Sequence, residues 1–136
     1  MANQVVISNK SSLTVLPNSE SNSSRHIILI AHPGLHALLT SLEGCNDTYS
    51  TISVGHMGGN TVKFRQFIDF NIGCGNASAG IVRVILNQET KPILNLMKES
   101  DIVILRGYTA EGTSQAFFSI SGEMSKLLIY LLQNGT

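Results

Sequence analysis

The clearest regularity along the chain is an alternation between residues 61 and 72. Val62, Phe64, Ile68, Phe70 and Ile72 fall on one face of an extended chain, while Thr61, Lys63, Arg65, Asp69 and Asn71 mostly fill the other, interrupted by Phe67. A period of two residues is that of a strand with one face buried. Residues 73–78 have loop chemistry and 80–86 resume as a β-branched run, so the two stretches are predicted to pair as an antiparallel hairpin over 61–86.

The remaining pattern is one of short elements. Apolar stretches at 4–8 and 13–16, separated by Asn9, Lys10, Ser11 and Ser12, predict an N-terminal hairpin that Pro17 ends, followed by a polar loop or arm to about residue 25. Both alternate faces of 26–32 carry Ile or Leu, which predicts an interior strand stopped by Pro33 and Gly34. Leu35, Leu38, Leu39 and Leu42 have helical spacing. A strand at 50–54 is expected to run into a glycine turn at Gly55, Gly58, Gly59 and Asn60. Ile93, Leu94, Leu96 and Met97 suit a short helix starting near Pro92, then a strand at 101–105, a loop at 107–114, and a strand carrying Ala116, Phe118 and Ile120. Met124, Leu127, Leu128, Leu131 and Leu132 share a helical stripe, with Asn134 and Gly135 as a stop, so the chain is expected to end in a helix.

These elements give a β-rich α+β fold: one domain over 1–136, with an antiparallel sheet of short strands and a C-terminal helix. Two rival arrangements use the same segments. One is a small α/β domain in which 26–42 and 91–105 are β–α and α–β units; the other is an all-β jelly roll.

Composition narrows the function classes. Charged residues make up 13% of the chain, about half the usual share, and the polar surface is supplied by Ser, Thr and Asn, as in 19–24 and 46–53. Nine basic and nine acidic residues cancel, so no global field draws in nucleic acid or an anionic membrane, and any polyanion site is local. The longest apolar runs, 27–31 and 127–132, fall far short of the ~20 residues that span a bilayer. With no charged and apolar leader at the start, the chain reads as soluble, without a membrane partner, and its Asn-x-Ser/Thr triplets are ascribed to composition. Cys45 and Cys74 would pair in an oxidising compartment, but two cysteines make no disulfide scaffold and free, partly buried thiols are the expectation.

Searches for chemistry are mostly negative. There is no P-loop, dinucleotide fingerprint, nucleophile elbow, Cys-x-x-Cys pair or calcium loop, which points away from an enzyme and implies no cofactor. His32 and His36 flank a Pro-Gly bend, which keeps their rings off a common helix face and favours structural histidines over a metal pair. The glycine-rich stretch around His56 leads into a strand, not a helix N-terminus, and so reads as a turn. Glu111 lies in a loop that would be the ligand end of a parallel sheet. His32, His36, His56 and Glu111 are therefore the candidates if the chain is a small α/β ligand-binding protein or enzyme. Lys63 and Arg65 project from one strand face, where Arg83 from the paired strand could join them; this trio is the candidate for sequence-independent contact with RNA phosphates, and with Asp69 farther along the same face the alternative is an ordinary mixed solvated surface.

Three segments carry a family resemblance: Gln4-Val5-Val6-Ile7 through Leu13-Thr14-Val15-Leu16-Pro17, residues 62–86, and residues 124–135. Together they resemble the N-terminal hairpin, central paired strands and first C-terminal helix of small viral coat proteins, chiefly those of single-stranded RNA phages. The resemblance covers about half of the chain and implies a self-associating structural subunit of a virion, a homo-oligomer with RNA as a further partner; otherwise a cytoplasmic location is expected.

Overall fold

The computed structural model describes residues 3–17, 26–59, 62–96, 100–119, 124–125 and 128–133, with side chains over 4–17, 26–56, 65–96 and 102–119. Its central feature is the expected hairpin. Strand β5 (Val62–Cys74) pairs antiparallel with β6 (Ala77–Ile85), Asp69 opposite Arg83 and Phe70 opposite Val82. Gly75, at φ 59°, supplies the left-handed residue that a two-residue turn requires.

On the other side of β5 lies β4 (Thr48–Gly59), in an antiparallel ladder from Thr48–Cys74 to Gly59–Val62. The glycines expected to form a turn at 55–59 are therefore strand residues. Gly55 is opposite Phe67, and a Cβ at Gly55 would fall on the Phe67 ring, so the missing side chain is the space that ring occupies. With β1 (Asn3–Ile7) parallel to β6, and β9 (Met124–Ser125) on β4, the first sheet has the order β1-β6-β5-β4-β9.

The second sheet has the order β10-β8-β7-β3-β2. It comprises β2 (Leu13–Pro17), β3 (His26–Ala31), β7 (Ser100–Thr109), β8 (Gly112–Ser119) and β10 (Leu128–Gln133). Here β3 and β7 are parallel and the other pairs antiparallel. The fold is thus sheet-rich, with two short α-helices among the described residues, α1 (Leu35–Thr40) and α2 (Lys91–Asn95). No helix among the described residues is long and apolar enough to cross a membrane.

Three further expectations about the course of the chain are corrected. The N-terminal stretches do not form a hairpin: a 3-10 turn at Lys10–Ser12 carries the chain from the first sheet to the second, so β1 and β2 find partners in different layers. The C-terminal segment is not a helix over the described residues, because Leu128–Gln133 pairs residue by residue with Phe117–Gly112 of β8. The loop expected at 107–114 is reduced to a tight turn at Ala110 and Glu111, where β7 and β8 meet.

One apolar cluster joins the layers. Phe70 and Ile72 of β5, Val82 and Val84 of β6, Ile28 and Ile30 of β3, and Val103 and Leu105 of β7 are fully buried, and Phe70 meets Phe118 of β8 edge-on with ring centroids 5.8 Å apart. Each such side chain contributes roughly 1.5–3 kcal/mol of burial. Helix α1 adds Leu35, Leu38 and Leu39 to this core, and its first turn lies directly on β7: a Cβ at Gly107 would fall on the His36 backbone.

The far end is closed covalently. Cys45 and Cys74 form a disulfide with Cα atoms 6.2 Å apart, correcting the expectation of free thiols. The Thr48–Cys74 register and the Gly75 N–H donation to the Asp47 carbonyl, 2.8 Å, bring the two cysteines together from a sequence separation of 29 residues.

Candidate functional site

The two sheets differ on their outward faces. On the first, Arg83 donates from Nε to Asp69 Oδ1 at 2.9 Å and from Nη2 to Asp69 Oδ2 at 3.0 Å, and its guanidinium lies 3.8 Å from the Phe67 ring centroid. Both groups favour the charged guanidinium state, and its pKa is held above the ordinary value by the hydrogen bond to Asp69, with desolvation opposing and the carboxylate charge assisting. Arg83 is therefore committed to a neighbour on its own sheet. Of the three cations expected to meet RNA, Arg65 is exposed and two positions from Phe67 on the same strand, and the Lys63 side chain lies outside the described ones.

The described outward face of the second sheet, over β2, β3, β7 and β8, is apolar at its centre. Ladder register places Leu16 beside Ile27, Ile27 beside Ile102, Leu29 beside Ile104 and Ile104 beside Phe117, all on the side away from the core. Leu16 is 37% exposed and the other five are half-buried. Polar groups occupy the margins: Arg106 Nε donates to Gln115 Oε1 at 2.7 Å, and Thr14 and Ser119 sit at opposite sides.

At the end of the molecule remote from the disulfide, the β4–β5 hairpin runs past the core. Val54, on the inward side of β4, is 65% exposed. Beyond it His56 and Gln66 face each other, with their Nε2 atoms 3.3 Å apart, and together with Arg65, Leu86 and Lys91 they line a cleft of about 500 Å³.

The opposite wall of this cleft is fixed by a compact polar turn. Asn87 Oδ1 accepts from the Glu89 and Thr90 amides, both at 2.9 Å, while Thr90 Oγ1 accepts from the Asn87 amide at 2.9 Å and donates to the Ile85 carbonyl at 2.7 Å. Thr90 has no exposed surface, and Asn87 Nδ2 donates to the Ser8 carbonyl at 2.7 Å. With the Leu86 amide bound to the Gln66 carbonyl at 2.8 Å, Leu86 and Lys91 are held against the β5 end. Short side chains that bond their own backbone specify such turns.

The other histidines and Glu111 do not converge on this cleft or on one another as a site. His32 Nδ1 accepts from the Gly34 amide at 3.0 Å, which shapes the entry to α1. His36 Nδ1 lies 3.0 Å from Ser114 Oγ, but Ser114 is fully buried, so the pair pins α1 to β8 instead of presenting a nucleophile to solvent. Glu111 occupies the exposed β7–β8 turn, its amide donating to Thr109 Oγ1 at 3.2 Å. Among the described residues no three His, Cys, Asp or Glu side chains are grouped to hold a metal ion.

Lys91 was absent from the residues picked out by sequence. It stands 26 positions after Arg65, and only the β5–β6 register together with the Asn87–Thr90 turn brings them to one cleft. Comparison with protein-family models, curated proteins and solved structures finds no match to the chain.

Proposed function

We propose that this chain is a self-associating structural subunit, with a viral coat as the assembly it builds. The observation that carries the reading is the apolar outward face of the second sheet: Leu16, Ile27, Leu29, Ile102 and Ile104 form one continuous patch across β2, β3 and β7. Exposed apolar patches that span several strands are typical of protein–protein contacts.

A second copy is the occupant this face fits. The described patch residues are uncharged, Arg106 at its margin is hydrogen-bonded to Gln115, and the chain's formal net charge is zero, so two copies approach face to face without mutual repulsion. At about 25 cal/mol per Å², covering roughly 300 Å² contributes about 7 kcal/mol. That is of the same order as the roughly 4–15 kcal/mol lost on association, so contact through this face alone is weak and concentration-dependent. Edge strands β2 and β10 offer further backbone donors and acceptors to a larger assembly.

Sedimentation and negative-stain electron microscopy of the purified protein test the coat reading. Closed particles of uniform size are the expected outcome, and a monomer at every concentration would remove it. RNA remains the second partner in this reading, with Arg65 its most accessible described contact among the three cations first considered.

A further inference from the structure

The cleft at the overhanging end of the β4–β5 hairpin has features that neither the core nor the apolar face explains. Two cations, Arg65 and Lys91, line it from different elements, and both are exposed. Among the described residues neither has an ion-pair partner, in contrast to Arg83, which is closed by Asp69 on the same sheet. Gln66 Nε2, 3.3 Å from His56 Nε2, carries two N–H groups, one of them taken up by the imidazole, and Leu86 supplies an apolar wall. Glu89 lies in the turn before Lys91, and among the described residues no acidic side chain lines the cleft itself.

We infer that this cleft binds a phosphate group, with Arg65 and Lys91 contributing the charge and the Gln66 amide a further hydrogen bond. A guanidinium presents a planar fork to phosphate oxygens and an ammonium acts as a point charge, so the two cations are complementary in one site. The walls are preset: the Asn87–Thr90 hydrogen bonds fix the Lys91 side, and the β4–β5 ladder fixes the His56 side. Binding therefore requires little reordering of backbone. The proposal deepens the RNA reading by moving its centre from the outward Lys63, Arg65 and Arg83 face to a cleft that Arg65 shares with Lys91.

The phosphate can belong to a small anion or to a nucleic-acid backbone. Isothermal titration of the full chain with inorganic phosphate, AMP and a ten-nucleotide oligouridylate separates these sources. Saturable binding of phosphate or AMP that falls at least tenfold in both Arg65→Ala and Lys91→Ala, and is unchanged in Lys10→Ala, supports a small phosphate ligand. Binding of the oligonucleotide alone, with the same loss in the two variants and a shallower salt dependence, supports a backbone phosphate.

Circular dichroism of each variant establishes that it is folded. No binding of any of the three probes at millimolar concentration, or binding that Arg65→Ala and Lys91→Ala leave intact, overturns the inference. None of the cleft residues lies on the outward face of the second sheet, so light scattering on the same variants reports the assembly state separately.

Discussion

Asp69 and Arg83 stand opposite each other on β5 and β6 and are joined by two parallel hydrogen bonds of 2.9 and 3.0 Å. Their side chains are 12% and 26% exposed, which places the pair between a surface ion pair worth under about 1 kcal/mol and a buried one whose disruption costs about 3–5 kcal/mol. Arg83→Ala is accordingly expected to lower stability by about 2 kcal/mol, since it leaves a largely covered carboxylate unpaired and bares the Phe67 ring. Arg83→Lys keeps the charge but loses the fork and falls between the two. Urea denaturation midpoints check both, and an unchanged midpoint for Arg83→Ala would refute the assignment.

The raised pKa of Arg83 also fixes the pH behaviour of this contribution. A cation whose folded value lies above its unfolded one stabilises fully below the unfolded value and loses that contribution only as pH rises through the folded one. For arginine this window is far into alkali. The difference in stability between wild type and Arg83→Ala should therefore stay constant from neutral pH to about pH 10, as urea melts at a series of pH values would show.

The Cys45–Cys74 disulfide closes a sequence separation of 29 residues. Chain-entropy arguments assign such a loop about 3–4 kcal/mol, and measured values are frequently lower. Reduction, or the Cys45→Ser/Cys74→Ser double variant, is expected to lower the melting temperature markedly while the β4–β5–β6 ladder survives. Amide exchange of β5 read alongside the melt distinguishes this from wholesale unfolding.

Gly107 lies under the first turn of α1, where an added Cβ meets the His36 backbone and not a movable side chain. Gly107→Ala should cost about 2–3 kcal/mol through overpacking. Ser114→Ala, which removes the His36 partner without adding volume, should cost about 1 kcal/mol. If thermal denaturation ranked the two in the opposite order, the seating of α1 on β7 would be wrong.

How far the sequence revealed this arrangement depended on whether neighbours in space were neighbours in the chain. The β5–β6 hairpin was legible because its alternation, turn and partner are contiguous. The two parallel pairs, β1 with β6 and β3 with β7, join segments more than 70 residues apart and leave no local mark. The segment at 127–132 is a continuous apolar run, in which helical and extended periods cannot be told apart, and the free edge of β8 decided for a strand.

Gly55 was read as a turn because glycine breaks strands, whereas here it makes room for Phe67. The candidate residues fared similarly. Arg83 was rightly placed beside β5, but alternation alone put Asp69 only farther along that face, and it takes the ladder register to set it directly opposite Arg83 as a partner that competes with phosphate. Cys45 and Cys74 are two thiols with no spacing motif, and only the ladder brings them into bonding reach.

The claim on which the proposed function rests is that the outward face of β3 and β7 packs against a second copy. Size-exclusion chromatography with light scattering across a concentration series, on wild type and on Ile104→Lys and Leu29→Thr variants shown by circular dichroism to be folded, tests it most directly. The account predicts a mass that rises above 14.7 kDa with concentration for wild type and a shift toward monomer in both variants, larger for the lysine. A wild-type mass that stays at one chain, or an oligomer that Ile104→Lys leaves unchanged, would contradict it.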